Sequence, residues 1–214
     1  MPVIKHKSQR VAILLDVQNL YHSAKNLYGA RVNFGNIIKF ATDGRQLIRA
    51  IGYVIATESG EEKGFFEALT KLGIELKVKD LQVFSGGMKK ADWDVGLAVD
   101  AIRLSHIVDA VVIVSGDGDF IPLVDYIRSA MGVQVEVVAF GRATSSKLKE
   151  TVDDFMDLES DPKSFTMRMP YSRATTFRRG VQSETGGRGR RGMPSDGAFG
   201  VPAELNDLNN LNGE

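Results

Sequence analysis

The sequence predicts an α/β fold, a mostly parallel sheet with helices on both faces. Two wholly apolar runs of strand length, VAILL at 11–15 and AVVIV at 110–114, are bounded by polar residues, as strands covered on both faces are. Segments with helical spacing follow them, such as DVGLAVDAIRL at 94–104, with apolar residues at 95, 98, 99 and 102. Strand and helix alternating along one chain build a parallel sheet, because each parallel crossover needs a long, covering connection.

The elements follow in order. After VAILL, residues 19–28 have helical spacing with Leu20 and Leu27 on one side, and 36–40 read as a second short helix. QLIRAIGYVIA at 46–56 is a strand of apolar and β-branched residues. GFFEALTKL at 64–72 is a helix that ends at Gly73, a good C′ residue. IELKV at 74–78 alternates as a half-exposed strand does. The 94–104 helix and AVVIV come next. Residues 121–130 form a helix with Pro122 at its start, ending before Gly132. VQVEVVAF at 133–140 is a strand, 144–150 a short helix, and DFMDLE at 154–159 a final edge strand. Phe65, Phe66 and Phe120 read as core, and Trp93 as a residue packed against the sheet.

Composition changes near residue 160. Residues 1–160 form one domain; 161–214 read as a low-complexity, disordered or only locally ordered tail. Four of the six prolines lie beyond 160, and glycines cluster at 186–200. The tail is polarised: residues 163–191 carry a net charge of +7 and 194–214 a net of −4, within a chain whose formal net charge is zero. Its GGRGRRG stretch makes Arg188, Arg190 and Arg191 candidates for nucleic-acid contact. A solubilising tail that touches nothing is the alternative.

The chain has no cysteine, which excludes disulfides, thiolate metal sites and cysteine nucleophiles. The basic start, MPVIKHKSQR, is followed by no signal-peptide h-region, and the longest apolar runs fall far short of the roughly 20 residues of a membrane span. A cytoplasmic protein without a membrane partner is expected. Homo-oligomerisation is left open.

The acids hold the chemistry. Asp16 follows VAILL directly, Asp117 and Asp119 follow AVVIV within five residues, Asp94 opens the 94–104 helix and Asp100 lies further along it. In open parallel sheets ligands bind beyond the C-terminal strand ends. Two carboxylates 4–5 Å apart repel by roughly 3–4 kcal/mol at an effective dielectric of 20. A helix cap returns only about 1 kcal/mol. The converging acids therefore need either raised pKa values or cations, and the cations could be nearby lysines, for which Lys89 and Lys90 are candidates, or, more economically, a hard divalent ion. All-oxygen ligands suit Mg²⁺ or Mn²⁺. Asn19 offers an amide oxygen or a donor to the same spot. Ser115 and Gly116 allow close approach of backbone to a phosphate, and Gly116 and Gly118 read as freedom for the loop to aim both carboxylates. Lys89 and Lys90, with Trp93, could grip a strand of nucleic acid by charge and stacking. No P-loop and no Gly-x-Ser-x-Gly elbow occurs, and His6, His22 and His106 are scattered. Acid clusters with Mg²⁺ or Mn²⁺ most often act on phosphates.

Three segments, LLDVQNLYHS at 14–23, KKADWDVGLAVDAI at 89–102 and VVIVSGDGDFIPLVDYIR at 111–128, together resemble the NYN domain, in its LabA-like branch of the PIN-like metal-dependent nuclease superfamily. The resemblance covers roughly residues 9–159. It implies a doubly wound sheet of order 3-2-1-4-5, with the strands that carry Asp16 and Asp117 side by side. It also implies an endoribonuclease that cuts RNA, single-stranded RNA above all, with metal-activated water. Matched by motif, Asp16, Asp94, Asp117 and Asp119 are the catalytic and metal-binding acids. Asn19, Asp100 and Ser115 stand behind them. Asp100, six residues along the helix from Asp94, points about 120° away from it and about 9 Å along the axis. One departure is Val17, where many members carry Asn. The alternative is a catalytically silent module of the same fold that binds RNA or protein. A DxD-type phosphatase or glycosyltransferase fits less well: a haloacid-dehalogenase-type site wants threonine where Ile121 stands.

Overall fold

The computed structural model describes residues 3, 5–57, 60, 62–83, 89–90 and 92–168, with the backbone alone at 82–83, 89–90 and 168. Arg188, Arg190 and Arg191 lie outside the described residues, as do the side chains of Lys89 and Lys90.

Six strands form one sheet: β1 Arg10–Asp16, β2 Gln46–Ala56, β3 Glu75–Asp80, β4 Ala110–Val114, β5 Gln134–Ala139 and β6 Asp154–Asp157. Their order is β3-β2-β1-β4-β5-β6, the expected order with one more edge strand. Every neighbouring pair is parallel. The chain winds outward from β1 to β3, then returns to lay β4 on the other flank of β1. The C-terminal ends of β1 and β4 therefore flank the switch point of the sheet.

Alternation along the strands divides the core into two layers. Ile13, Leu15, Val112 and Val114 face one cluster, with Leu20 and Ala24 of α1 (Val17–Tyr28), Ile37 of α2 (Phe34–Thr42) and Phe65 and Leu69 of α3 (Lys63–Lys71). Ala12, Leu14, Val111 and Ile113 face the other. There they meet Leu97 and Ala101 of α4 (Asp94–Ser105), Val124 of α5 (Ile121–Tyr126) and Leu148 of α6 (Ser146–Thr151).

Some boundaries differ from the sequence reading for local reasons. α1 begins at Val17, two residues early, because Asp16 is its N-cap and accepts from the Asn19 N–H. α2 is longer at both ends, with Asn33 as its cap. The expected 121–130 helix stops at Tyr126 and continues as a π turn, Ile127–Met131. Unforeseen were an antiparallel pair, Ala30–Val32 with Thr166–Arg168, the one-turn helix α7 (Pro162–Phe165) and the pair Gln82–Val83 with Lys89–Lys90. Segments of two to four residues carry no readable period. Phe165, just past the composition break, is buried against the first core cluster.

The N-terminal edge of the sheet is held by ion pairs. The fully buried Glu136 receives Arg45 through two contacts, 2.5 and 2.8 Å, and Lys5 lies 3.3 Å away. Lys5 also reaches Asp154 at 2.8 Å. Arg10 binds Asp109 with its guanidinium and its backbone N–H. Those bonds hold the Asp109 carboxyl down at about 2.

Candidate metal centre

The opposite edge is built from acids. Leu15 pairs in register with Val114, so Asp16 and Ser115 leave the two central strands side by side. The buried Ser115 hydroxyl donates to Asp16 Oδ2 at 3.2 Å, while Asp16 Oδ1 accepts from the Asn19 N–H at 3.1 Å. Asn19 returns across the gap: its Oδ1 accepts from the Gly116 N–H at 3.0 Å. The Asp117 N–H donates to Ser115 Oγ at 3.3 Å, and the Asp119 N–H to Asp117 Oδ1 at 3.0 Å. Two of these bonds, Ser115 to Asp16 and Gly116 to Asn19, lock the start of α1 to the loop after β4, and the other three order the two segments themselves.

Asp94 approaches from α4, in its first turn, where a negative charge suits the helix dipole. Asp94, Asp117 and Asp119 can each place a carboxylate oxygen within 4.8 Å of the others. Asp16 lies outside that tight group but feels the charges of Asp94 and Asp117. Burial, and to a lesser extent those charges, push its carboxyl up to about 6 against the hydrogen bonds from Asn19 and Ser115. Asp94 is also raised, by burial first and then by Asp117, Asp92 and Asp119. Among the described residues no lysine or arginine forms an ion pair with Asp16, Asp94, Asp117 or Asp119.

α4 is seated by Trp93 and Asp100. Trp93 donates Nε1–H to the Val54 carbonyl at 2.8 Å and packs against Tyr53, with ring centroids 5.6 Å apart. A Cβ on Gly96 would come within 2.5 Å of the Trp93 ring, so glycine is needed for that fit. Trp93 is therefore a packing residue. Asp100 is buried and engaged elsewhere, with Tyr53 OH at 2.7 Å, Lys77 Nζ at 2.5 Å and Arg103 at 3.5 Å. Burial alone would raise its carboxyl, but the bonds from Lys77 and Tyr53 outweigh it and the net shift is downward. Asp100 thus anchors α4 to the sheet and is not among the three clustered acids.

Three readings of the sequence change. Gly116 and Gly118 do not have positive φ, so conformational freedom is not their reason. They are small because the chain after β5 lies against them: a Cβ on Gly116 would meet the Ala143 carbonyl at 2.7 Å, and one on Gly118 the Ser145 hydroxyl at 3.0 Å. Ser115 spends its hydroxyl on Asp16 and the Asp117 N–H rather than only easing an approach of backbone. Val17 is 3% exposed and packs in the core, so it takes no ligand out of the cluster. Phe120 is buried beneath the loop, as read. The packing of residues 143–145 on this loop was missed, since 144–150 was read only as a short helix. Its signal was a small, polar stretch, ATSS, just after an apolar strand.

Chemically, among the described residues the centre offers oxygen ligands and a negative charge that no lysine or arginine pairs with. That donor set fits a hard divalent cation.

The comparisons agree with this arrangement. The family model of the NYN domain matches residues 10–159. The low amplitude and bright protein LabA of Synechococcus elongatus is 26% identical over 167 residues, spanning 74% of this chain and 88% of that protein. A crystal structure of a protein of unknown function from Vibrio parahaemolyticus has a TM-score of 0.69 at 32% identity, covering 77% of this chain and 100% of that one. No helix among the described residues is long and apolar enough to cross a membrane. The chain belongs to the NYN domain family, as a LabA-like member, and through it to the PIN-like nuclease superfamily.

Proposed function

We propose that the chain is a Mg²⁺- or Mn²⁺-dependent endoribonuclease. The observation that carries this reading is the group Asp94, Asp117 and Asp119, three carboxylates within 4.8 Å with no cationic side chain among the described residues to neutralise them. Bound there, such an ion would polarise a phosphoryl oxygen and activate a water for attack on the phosphodiester.

The chain's own residues do the rest. Asp94 from α4 and Asp117 and Asp119 from the β4–α5 loop would hold the ion. Asp16 adds charge from the strand side and is kept in place by Ser115 and Asn19. Asp100, Tyr53 and Trp93 fix α4, and with it Asp94. Lys89 and Lys90, together with Arg188, Arg190 and Arg191 of the tail, gather single-stranded RNA by its phosphates.

The test is direct. Purified protein is incubated with single-stranded RNA and Mn²⁺. Cleavage is expected, and it is expected to stop with EDTA and in Asp117→Asn. Cleavage that survives both treatments overturns the proposal. RNA binding without cleavage at any Mn²⁺ concentration replaces it with the non-catalytic module.

A further inference from the structure

The side-chain oxygen of Asn19 is already spoken for. Oδ1 accepts from the Gly116 N–H at 3.0 Å. Only the carbonyl end of an amide can accept from an N–H, so this contact decides which end faces which way. The Nδ2 group has two donors and no acceptor, and no partner for it occurs among the described residues. We propose that Asn19 is a donor to a non-bridging phosphate oxygen of the bound RNA and not a ligand of the cation. The proposal rests on the reading of this centre as one that handles RNA phosphates.

The surroundings explain why an amide suits this position. Four carboxylates repel an incoming phosphate, so a donor beside them eases its approach. A lysine there would pair with the acids and compete with the divalent ion. A neutral amide donates to the phosphate without that competition. Nor is the Asn19 side chain needed to aim Asp16, whose two oxygens are held by the Asn19 backbone and by Ser115.

Two variants of the full chain separate the alternatives. Asn19→Asp keeps an acceptor for the Gly116 N–H but loses the donor; Asn19→Ala loses both. RNA affinity is read by anisotropy of a fluorescein-labelled single-stranded oligouridylate in Ca²⁺, with a gel to confirm the RNA stays intact. Mn²⁺ affinity is read by calorimetry without RNA. Loss of a hydrogen bond to a charged acceptor should weaken RNA binding about tenfold or more in both variants. Mn²⁺ affinity of Asn19→Ala should stay within about threefold of the parent, since no ligand is lost.

Weakening in Asn19→Asp alone would be charge repulsion and would overturn the proposal. Weakening in Asn19→Ala alone would reduce Asn19 to a loop fastener and also overturn it. So would unchanged RNA binding in both, or a tenfold loss of Mn²⁺ affinity in Asn19→Ala. A parent protein that fails to bind RNA at all would overturn the functional reading itself, and this inference with it.

Discussion

At the N-terminal edge of the sheet Glu136 has no exposure to water, yet Arg45 meets both its oxygens and Lys5 stands 3.3 Å away. At the C-terminal edge, Asp94, Asp117 and Asp119 face one another within 4.8 Å, and no cation of the described residues pairs with them. Carboxylates at that spacing repel by roughly 3–4 kcal/mol per pair at an effective dielectric of 20. The first edge is electrostatically closed, and its charge serves the fold. The second is left open, and its compensation has to come from outside the described chain. The same carboxylate group is thus structural at one end of the strands and a candidate for function at the other.

The contrast can be broken from either end. The largest effect is expected at the closed edge: Arg45→Ala strands a buried carboxylate and should cost about 3 kcal/mol or more in urea unfolding. Replacing Arg45 and Glu136 together by Met and Leu should cost far less. At the open edge, Mn²⁺ at about 100 times its dissociation constant should stabilise the protein by about 2.7 kcal/mol. Thermal melts should show that gain disappear in Asp117→Asn and with EDTA. A chain whose melting point ignores Mn²⁺ would remove the distinction between the edges.

A smaller effect separates the edges by pH. Asp16 titrates near 6 in the folded protein, above its ordinary value. Its folded form therefore holds a proton that the unfolded form releases near 4, so stability falls as pH rises from about 4 to about 6. Asp109 is depressed to about 2, so its contribution is present above about 4 and is lost as pH falls toward 2. Asp16→Asn should flatten the slope between pH 4 and 6 and raise stability at pH 7 by about 1–2 kcal/mol. Arg10→Ala should remove the acid-side slope but cost little at neutral pH, because that pair is on the surface.

Much of this molecule was legible because its strands are extreme. AVVIV and QLIRAIGYVIA were placed to the residue, since runs of apolar and β-branched residues of strand length leave little choice. The places of Asp16, Asp117 and Asp119 beyond the strand ends were legible because they follow VAILL and AVVIV closely, and that of Asp94 because it opens a helix. Pairings made by distant residues were not. Asp100 looked like a further site acid, and only the fold brings Tyr53 and Lys77 to it. Gly116 and Gly118 looked like hinges, because a single segment does not reveal that residues 143–145 press on it. Ser115 was named for its small size, while its hydroxyl was serving Asp16, 99 positions earlier.

That separation of 99 residues bears on how the protein is made. The centre exists only once β1 and β4 have paired, a long-range closure that comes late and slowly compared with helix formation. During synthesis the segment up to α3 carries Asp16 but nothing to set beside it. The chain cannot gather its acids until the β4 loop has emerged and docked. If the centre takes a divalent ion as proposed, ion binding would report the pairing of β1 with β4 during folding.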